Sequence, residues 1–295
     1  MATASVHKKY KKRSQLKAIW FRFRKNKLAM VGLFILMVLV VIALSADLLV
    51  DYENDVIKQN ARARLLGPGM HPDHPLGTDA YGRDMLGRII FGARVSLFVG
   101  FVTVGIALMA GTVIGAIAGF YGGRIDNVLM RIMDIFLAIP GILLSISIVS
   151  VLGPGLFNLL MALSISQTPR FARLVRSAIL SIRNQEFIEA ARACGSRDKR
   201  IIFRHIIPNA IGPMIVQATI TIASTILTIS SLSFIGLGIQ PPAPEWGSML
   251  ADGRTQMRYH PYLVVEPGIA IMLAVLSFNL IGDGLRDALD PSLKN

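Results

Sequence analysis

Cys194 is the one cysteine among 295 residues, which excludes an intramolecular disulfide and argues against a cysteine-built metal site. No G-x-x-x-x-G-K-[ST] segment occurs, so the chain cannot hydrolyse ATP in the P-loop manner. No Ser/His/Asp set and no metal-ligand motif lies inside the long apolar runs. Those runs are also nearly empty of ionisable side chains. Glu266 and Asp283 sit only near the ends of the last run, and the interior polar residues are Ser, Thr, Gln217 and Asn279. A carrier driven by protons or ions places ionisable groups deep in its helices. Their absence points to an energy source in another subunit. Acids are scarce overall, 18 against 31 Lys and Arg for a formal charge of +13, and residues 1–27 contain none.

What is present is apolar sequence, 53% of the chain, in uninterrupted runs that a soluble fold could not bury. The placement of the basic surplus decides what it means. Ten Lys and Arg fall in residues 1–27, directly before the first run. That is the positive-inside pattern of a membrane protein, not the patch of a nucleic-acid reader. The run after Lys27 is too long for a signal-peptide core and has only a partial small-x-small exit at residues 43–46, so it reads as a retained anchor. Residues 14–27 alternate basic side chains with Leu16, Ile19, Trp20 and Phe23, which predicts an amphipathic interfacial helix on anionic lipid. Residues 1–13 read as a disordered basic tail.

Six spans are expected, at residues 28–49, 95–120, 128–152, 211–238 and 263–281, with the fourth beginning at 156–166 and short unless it continues towards Arg170. The organisation is then a basic N-terminal segment, 1–27; a first transmembrane helix, 28–49; an extracytoplasmic segment, 50–94; a five-helix core, 95–285; and a tail, 286–295. Six crossings put both termini on one side, cytoplasmic by charge. The loop 168–209 shares that side, with nine Lys and Arg against three acids over residues 168–204. Gly111, Gly115 and Gly119 form small-xxx-small pairs suited to close helix packing. Pro140-Gly141 is expected to kink or break the third span, and Arg131 and Asp134 are spaced for a local ion pair. The His71-x-Asp73-His74 cluster is broken up by prolines and reads as a turn-rich loop rather than a metal site.

The chain is organised around a polar island, QEFIEAARACGSRDKRIIFRHIIPN, at 185–209. A first helical piece, 186–194, carries Ile188 and Ala191 on one face and Glu189 and Arg192 on another. Gly195-Ser196 breaks it. A second piece, 197–207, sets Arg197, Lys199, Arg200 and Arg204 around Ile201, Ile202 and Phe203, and Pro208-Asn209 is expected to end it. Taken alone, such a pair either lies on anionic lipid or docks into the groove of another protein.

The spacing Glu189-Ala190-Ala191, then Gly195, then His205 and Pro208, resembles the EAA loop of ABC-importer permeases. That family usually has Ile where His205 stands and Leu where Ile207 stands. The stretch HPLGTDAYGRDMLGR from His74 resembles the C-type permeases of dipeptide, oligopeptide and nickel importers, with Gly87 in place of the usual serine. PPAPEWGSML from Pro241 and FNLIGDGLRDALDP from Phe278 are similar to the same group.

The resemblance implies an all-α membrane subunit with the ABC type I importer permease fold, not itself an enzyme. It implies that Glu189, Ala190, Ala191, Gly195, Arg197, His205 and Pro208 couple to an ATPase subunit that binds ATP and Mg²⁺, leaving this chain without a cofactor. It further implies a second homologous permease subunit, two ATPase subunits and an extracytoplasmic binding protein, in a bacterial or archaeal cytoplasmic membrane. Glu245, Trp246 and Gly247 are expected either to shape a gate or contact the binding protein, or to form a plain loop held by Trp246. Di- or oligopeptide is the expected cargo, nickel or another small solute the alternative. A stand-alone secondary transporter or channel is the alternative from another class.

Overall fold

A computed structural model describes residues 15–289. The expected tail 1–13 and the end of the C-terminal segment, 290–295, lie outside the described residues. Among the described residues the architecture is all-α, with two isolated bridges and no strand.

α1 (Gln15–Lys25) is the expected amphipathic helix. Asn26 separates it from α2 (Lys27–Leu44), accepting from the Ala29 N–H at 3.2 Å as an N-cap. The first apolar run thus stops at Leu44, short of the expected 49, and a single turn, α3 (Ala46–Leu49), follows. Arg94 pairs with Asp47 of that turn at 2.7 Å and holds its carboxyl below the usual carboxylate range.

The segment after α3 is not an open loop. Asp51 caps a turn at Tyr52–Ile57, and the Leu66 N–H donates to Thr78 Oγ1 at 3.0 Å while Thr78 Oγ1 donates to the Ala63 carbonyl. The Asn54 side chain holds the Asp51 carboxyl below its usual range. His74 pairs with Asp84 at 3.0 Å, and among the described residues no three His, Cys, Asp or Glu side chains converge as a metal set.

α4 (Met85–Tyr121) starts ten residues before the expected span. Asp84 caps it, accepting from the Gly87 N–H at 2.6 Å. The charges that hid this start in the sequence are absorbed by partners: Arg88 by Asp79 at 3.5 Å and Arg94 by Asp47. Thirty-seven residues span about 55 Å at ~1.5 Å each, so α4 outruns the ~30 Å hydrocarbon layer.

α5 (Gly123–Ala138) and α6 (Gly141–Leu152) are separated at Ile139-Pro140 and bent by 86°. α5 is already helical at Gly123, five residues before the expected third span at 128. Asp134 pairs with Arg173 across the packing at 2.6 Å, not with Arg131. α7 (Leu156–Ile182) is 27 residues long, so the fourth span begun at 156–166 does continue through Pro169, and well past Arg170. Its three arginines at 170, 173 and 176 concealed the continuation, and two of them are neutralised by Asp134 and Asp126 of α5. Among the described residues, four helices are apolar and long enough to cross a membrane on composition, or five if α5 and α6 make one broken span; α7 falls short through its arginines, so six is not reached by that measure.

α4 and α7 are the most closely joined pair, and the glycines explain it. A Cβ at Gly111 would stand 2.5 Å from Phe171 Cβ, one at Gly115 2.4 Å from the Ala172 carbonyl, and one at Gly119 3.0 Å from Ile179 Cβ. α8 (Glu186–Ala193) and α9 (Asp198–Ile201) follow, and α10 (Ile207–Phe234) returns through the bundle. α11 (Trp246–Gly253) and α12 (Tyr262–Leu289) complete it. α12 lies against α2, where a Cβ at Gly284 would meet that of Ala29 at 2.2 Å.

Candidate coupling surface

α8 ends in a hydrogen-bond pattern set by Gly195. The Gly195 N–H donates to the Arg192 carbonyl (2.9 Å) and the Ser196 N–H to the Ala191 carbonyl (3.0 Å). Gly195 has φ +74°, so the pair is a Schellman cap closed by a left-handed residue that glycine adopts without strain. The expected break is therefore a built turn.

The second piece behaves differently from expectation. α9 is one turn, Ile202–Ile206 widens into a π-type turn, and the chain runs on into α10 without stopping at Pro208. The Ile207 N–H reaches back five residues to the Ile202 carbonyl, and this wider turn makes room for a proline ring that lacks an N–H of its own. Asn209 Nδ2 donates to the His205 carbonyl at 2.6 Å in the same turn.

The two pieces sit on a core of their own. Ile188, Ile201 and Ile206 are fully buried, with Ile202 beside them, against Phe120 of α4, Val175 and Ile179 of α7, and Met214 of α10. Arg192 lies over the Phe120 ring at 5.5 Å, and Arg183 Nη1 donates to the Gly119 carbonyl at 2.8 Å. The island is thereby seated on α4, α7 and α10 together.

Of the residues singled out, Glu189, Ala190, Gly195, Arg197 and Pro208 are exposed. Ala191 and His205 are only partly so, and Ala191 packs against the same core. Phe203, expected beside Ile201 and Ile202, is 69% exposed, and Phe187 is 40% exposed. The signal for Phe203 was in the sequence: with Ile202 and Ile206 on the buried side at i and i+4, the residue after Ile202 turns outward.

Glu245, Trp246 and Gly247 belong to the opposite end of the molecule. Trp246 packs over Gly92 of α4, and the 28 residues from there to Phe120 cover about 42 Å of helix. All three are buried. Glu245 caps α11 by accepting from the Gly247 and Ser248 N–H groups at 2.8 and 2.9 Å, and Ser96 Oγ adds a bond at 3.3 Å. Trp246 Nε1 donates to the Ile89 carbonyl at 3.1 Å. Here the three residues lock α11 onto α4 and present no face to a soluble partner.

Beside that cap lies a buried ionic cluster that the sequence did not reveal. Asp79 Oδ2 accepts from Arg83 Nε at 2.6 Å and stands 3.5 Å from Arg88 Nε, while Arg83 Nη2 reaches Asp252 of α11 at 3.2 Å. It ties the segment before α4 to α11.

An all-α bundle carrying an outward-facing helix–turn–helix on its own core can be compared with known proteins. Residues 111–295 match the family described as binding-protein-dependent transport system inner membrane component. The chain belongs to that family. Residues 14–68 also match the N-terminal TM domain of oligopeptide transport permease C. The dipeptide transport system permease protein DppC of Alkalihalophilus pseudofirmus is 51% identical over 93% of this chain and 89% of its own length. The DppC of Haemophilus influenzae is 41% identical over 96% of each. The glutathione transport system permease protein GsiD of Pectobacterium atrosepticum is 43% identical over 100% of this chain and 97% of its own. An inward-facing structure of the MetNI methionine ABC transporter superposes with a TM-score of 0.56 at 23% identity, covering 70% of this chain and 98% of that one. This permease is thus a multi-pass inner-membrane subunit of the C type in an ABC importer, working with ATPase and substrate-binding partners rather than as an enzyme. That membership replaces the stand-alone carrier as a reading.

Proposed function

We propose that this permease is one half of the translocation path of a dipeptide or oligopeptide importer, paired with a second, homologous permease subunit. Its ATPase partners bind ATP and Mg²⁺ and dock on the surface formed by α8, the Gly195 turn and α9. The observation that carries this is the two-sidedness of that island. Ile188, Ile201 and Ile206 bolt it to α4, α7 and α10, while Glu189, Ala190 and Arg197 face outward. A push on the outward side is transmitted to three core helices at once, which is what alternating access driven from outside the membrane requires.

We read α2, α4, the broken α5–α6 pair, α7, α10 and α12 as six crossings, with both termini and the island cytoplasmic. The ten Lys and Arg of residues 1–27 support that orientation. The relatives named for dipeptide transport support peptide cargo, and the relative named for glutathione, 43% identical, favours a second reading in which the cargo is a modified tripeptide.

The test is uptake into proteoliposomes holding the full importer and its binding protein. Labelled dialanine, trialanine, glutathione and Ni²⁺ are offered with ATP inside or with a proton gradient alone. ATP-dependent peptide accumulation is expected. Accumulation of Ni²⁺ without any peptide, or uptake on the proton gradient alone, would overturn the assignment.

A further inference from the structure

At the end of the bundle where α1 meets α12, an apolar groove adjoins a basic cleft. The groove, about 280 Å³, is lined by Ile19, Trp20, Phe23, Leu33, Ile281 and Leu285. The cleft, about 270 Å³, is lined by Lys17, Trp20, Phe21 and Arg24. Trp20 is shared by both and is 52% exposed, with its ring stacked on Phe23 at 5.9 Å between centroids. Phe23 itself is 4% exposed and anchored against Ala29, Ile281 and Ala288, so the floor is rigid. α1 carries no acid. On the facing end of α12, Asp283 and Asp287 are exposed, and Asp287 accepts from Asn26 Nδ2 at 3.2 Å.

We propose that this groove and cleft seat one anionic phospholipid, an acyl chain lying along Leu33, Ile281 and Leu285 and the phosphate between Lys17 and Arg24. Charge selects the occupant. A neutral detergent could fill the apolar half but brings no charge to the cleft, and a zwitterionic lipid brings its own headgroup cation beside Lys17 and Arg24, so a net-anionic headgroup is favoured there. The indole of Trp20 marks the headgroup level between the two halves. A seated lipid differs from a helix merely resting on a charged bilayer because it needs the groove as well as the charge. The inference does not depend on which solute the importer carries.

The shared tryptophan supplies the measurement. The chain has two tryptophans, and Trp246 is fully buried at the far end, so quenching by bilayer lipid reports on Trp20. The full-length chain is reconstituted in phosphatidylcholine vesicles containing a small fraction of phosphatidylglycerol brominated on its acyl chains. The parallel sample holds brominated phosphatidylcholine at the same fraction. We expect brominated phosphatidylglycerol to quench at about tenfold lower mole fraction, an advantage that shrinks as salt rises. Lys17→Gln with Arg24→Gln should abolish the preference, with Trp246 emission unchanged as evidence of an intact fold. Leu285→Phe fills the groove without altering charge and should abolish it too. Equal quenching by both lipids in the unaltered chain overturns the proposal. So does a preference that survives Leu285→Phe, which would mean that the basic helix attracts anionic lipid without seating it.

Discussion

Ala190 and Ala191 are neighbours in sequence and opposites in environment. Ala190 is exposed, whereas Ala191 packs against the core beneath α8. Ala190→Arg should leave the subunit folded and release the ATPase subunits on co-purification, with transport lost. Ala191→Arg should instead lower the yield of folded permease, since overpacking costs about 1–3 kcal/mol and an unpaired buried charge adds to it. If Ala190→Arg transports normally with its ATPase bound, the island is not the docking surface. Gly195→Pro acts through the backbone: proline cannot reach φ +74° and cannot donate to the Arg192 carbonyl. Loss of transport with the spans still assembled is expected, scored by uptake beside co-purification. Gly195→Ala, strained but able to donate, should be intermediate.

Two elements are held by contacts that single residues can break. The α4–α7 seam depends on Gly115, where a Cβ would stand 2.4 Å from a backbone oxygen that cannot move aside. Gly115→Leu should therefore separate the two helices and destabilise the subunit by at least the ~1–3 kcal/mol of ordinary overpacking. A lowered thermal midpoint in detergent is the readout, and Gly105→Leu, at a glycine with nothing within 4 Å, is the control expected to be near normal. The second element is the segment before α4. Asp79→Asn would leave Arg88, 2% exposed, without its carboxylate, and breaking a buried pair costs about 3–5 kcal/mol. The exposed Lys58 and Arg62 should then become sites of rapid tryptic cleavage, while α8 and its turn, some 40 Å away, keep their ATPase contact. Unchanged trypsin resistance would show that the ionic cluster does not hold the segment.

For the molecule as a whole, the claim at stake is which ends of the bundle share a side. In a Cys194→Ser background, cysteines placed at Asp73 and Tyr259, both exposed, should react with an impermeant reagent added outside. Cysteines at Arg200 and Lys294 should react only after the membrane is opened. Labelling of the Lys294 position from outside would rule out six crossings. At α7 span composition and span length disagree: the helix is long enough to cross, yet its arginines depress its hydropathy, and two of them are paired with Asp126 and Asp134 of α5.

Some features were legible from local chemistry alone. Glycine at 195 requires a turn, Pro140-Gly141 a break, the small residues at 111, 115 and 119 a close helix seam, and the basic surplus of residues 1–27 a membrane flank. These depend on neighbours in sequence, so the sequence determined them, and with them the all-α membrane class. What only the tertiary structure decided depends on partners far along the chain. Arg88 and Arg94 look like the end of a polar loop until Asp79 and Asp47 accept them, and then α4 can begin at Met85. Pro208 looks like a terminator until the wide turn at Ile202–Ile206 gives its ring room. Trp246 and Glu245 read equally as a gate or as a loop held by the indole until Gly92 and Ser96 are found packed against them. A charge, a proline or an indole has no fixed meaning until its partner is in place, because desolvation decides its energy and burial is a property of the fold.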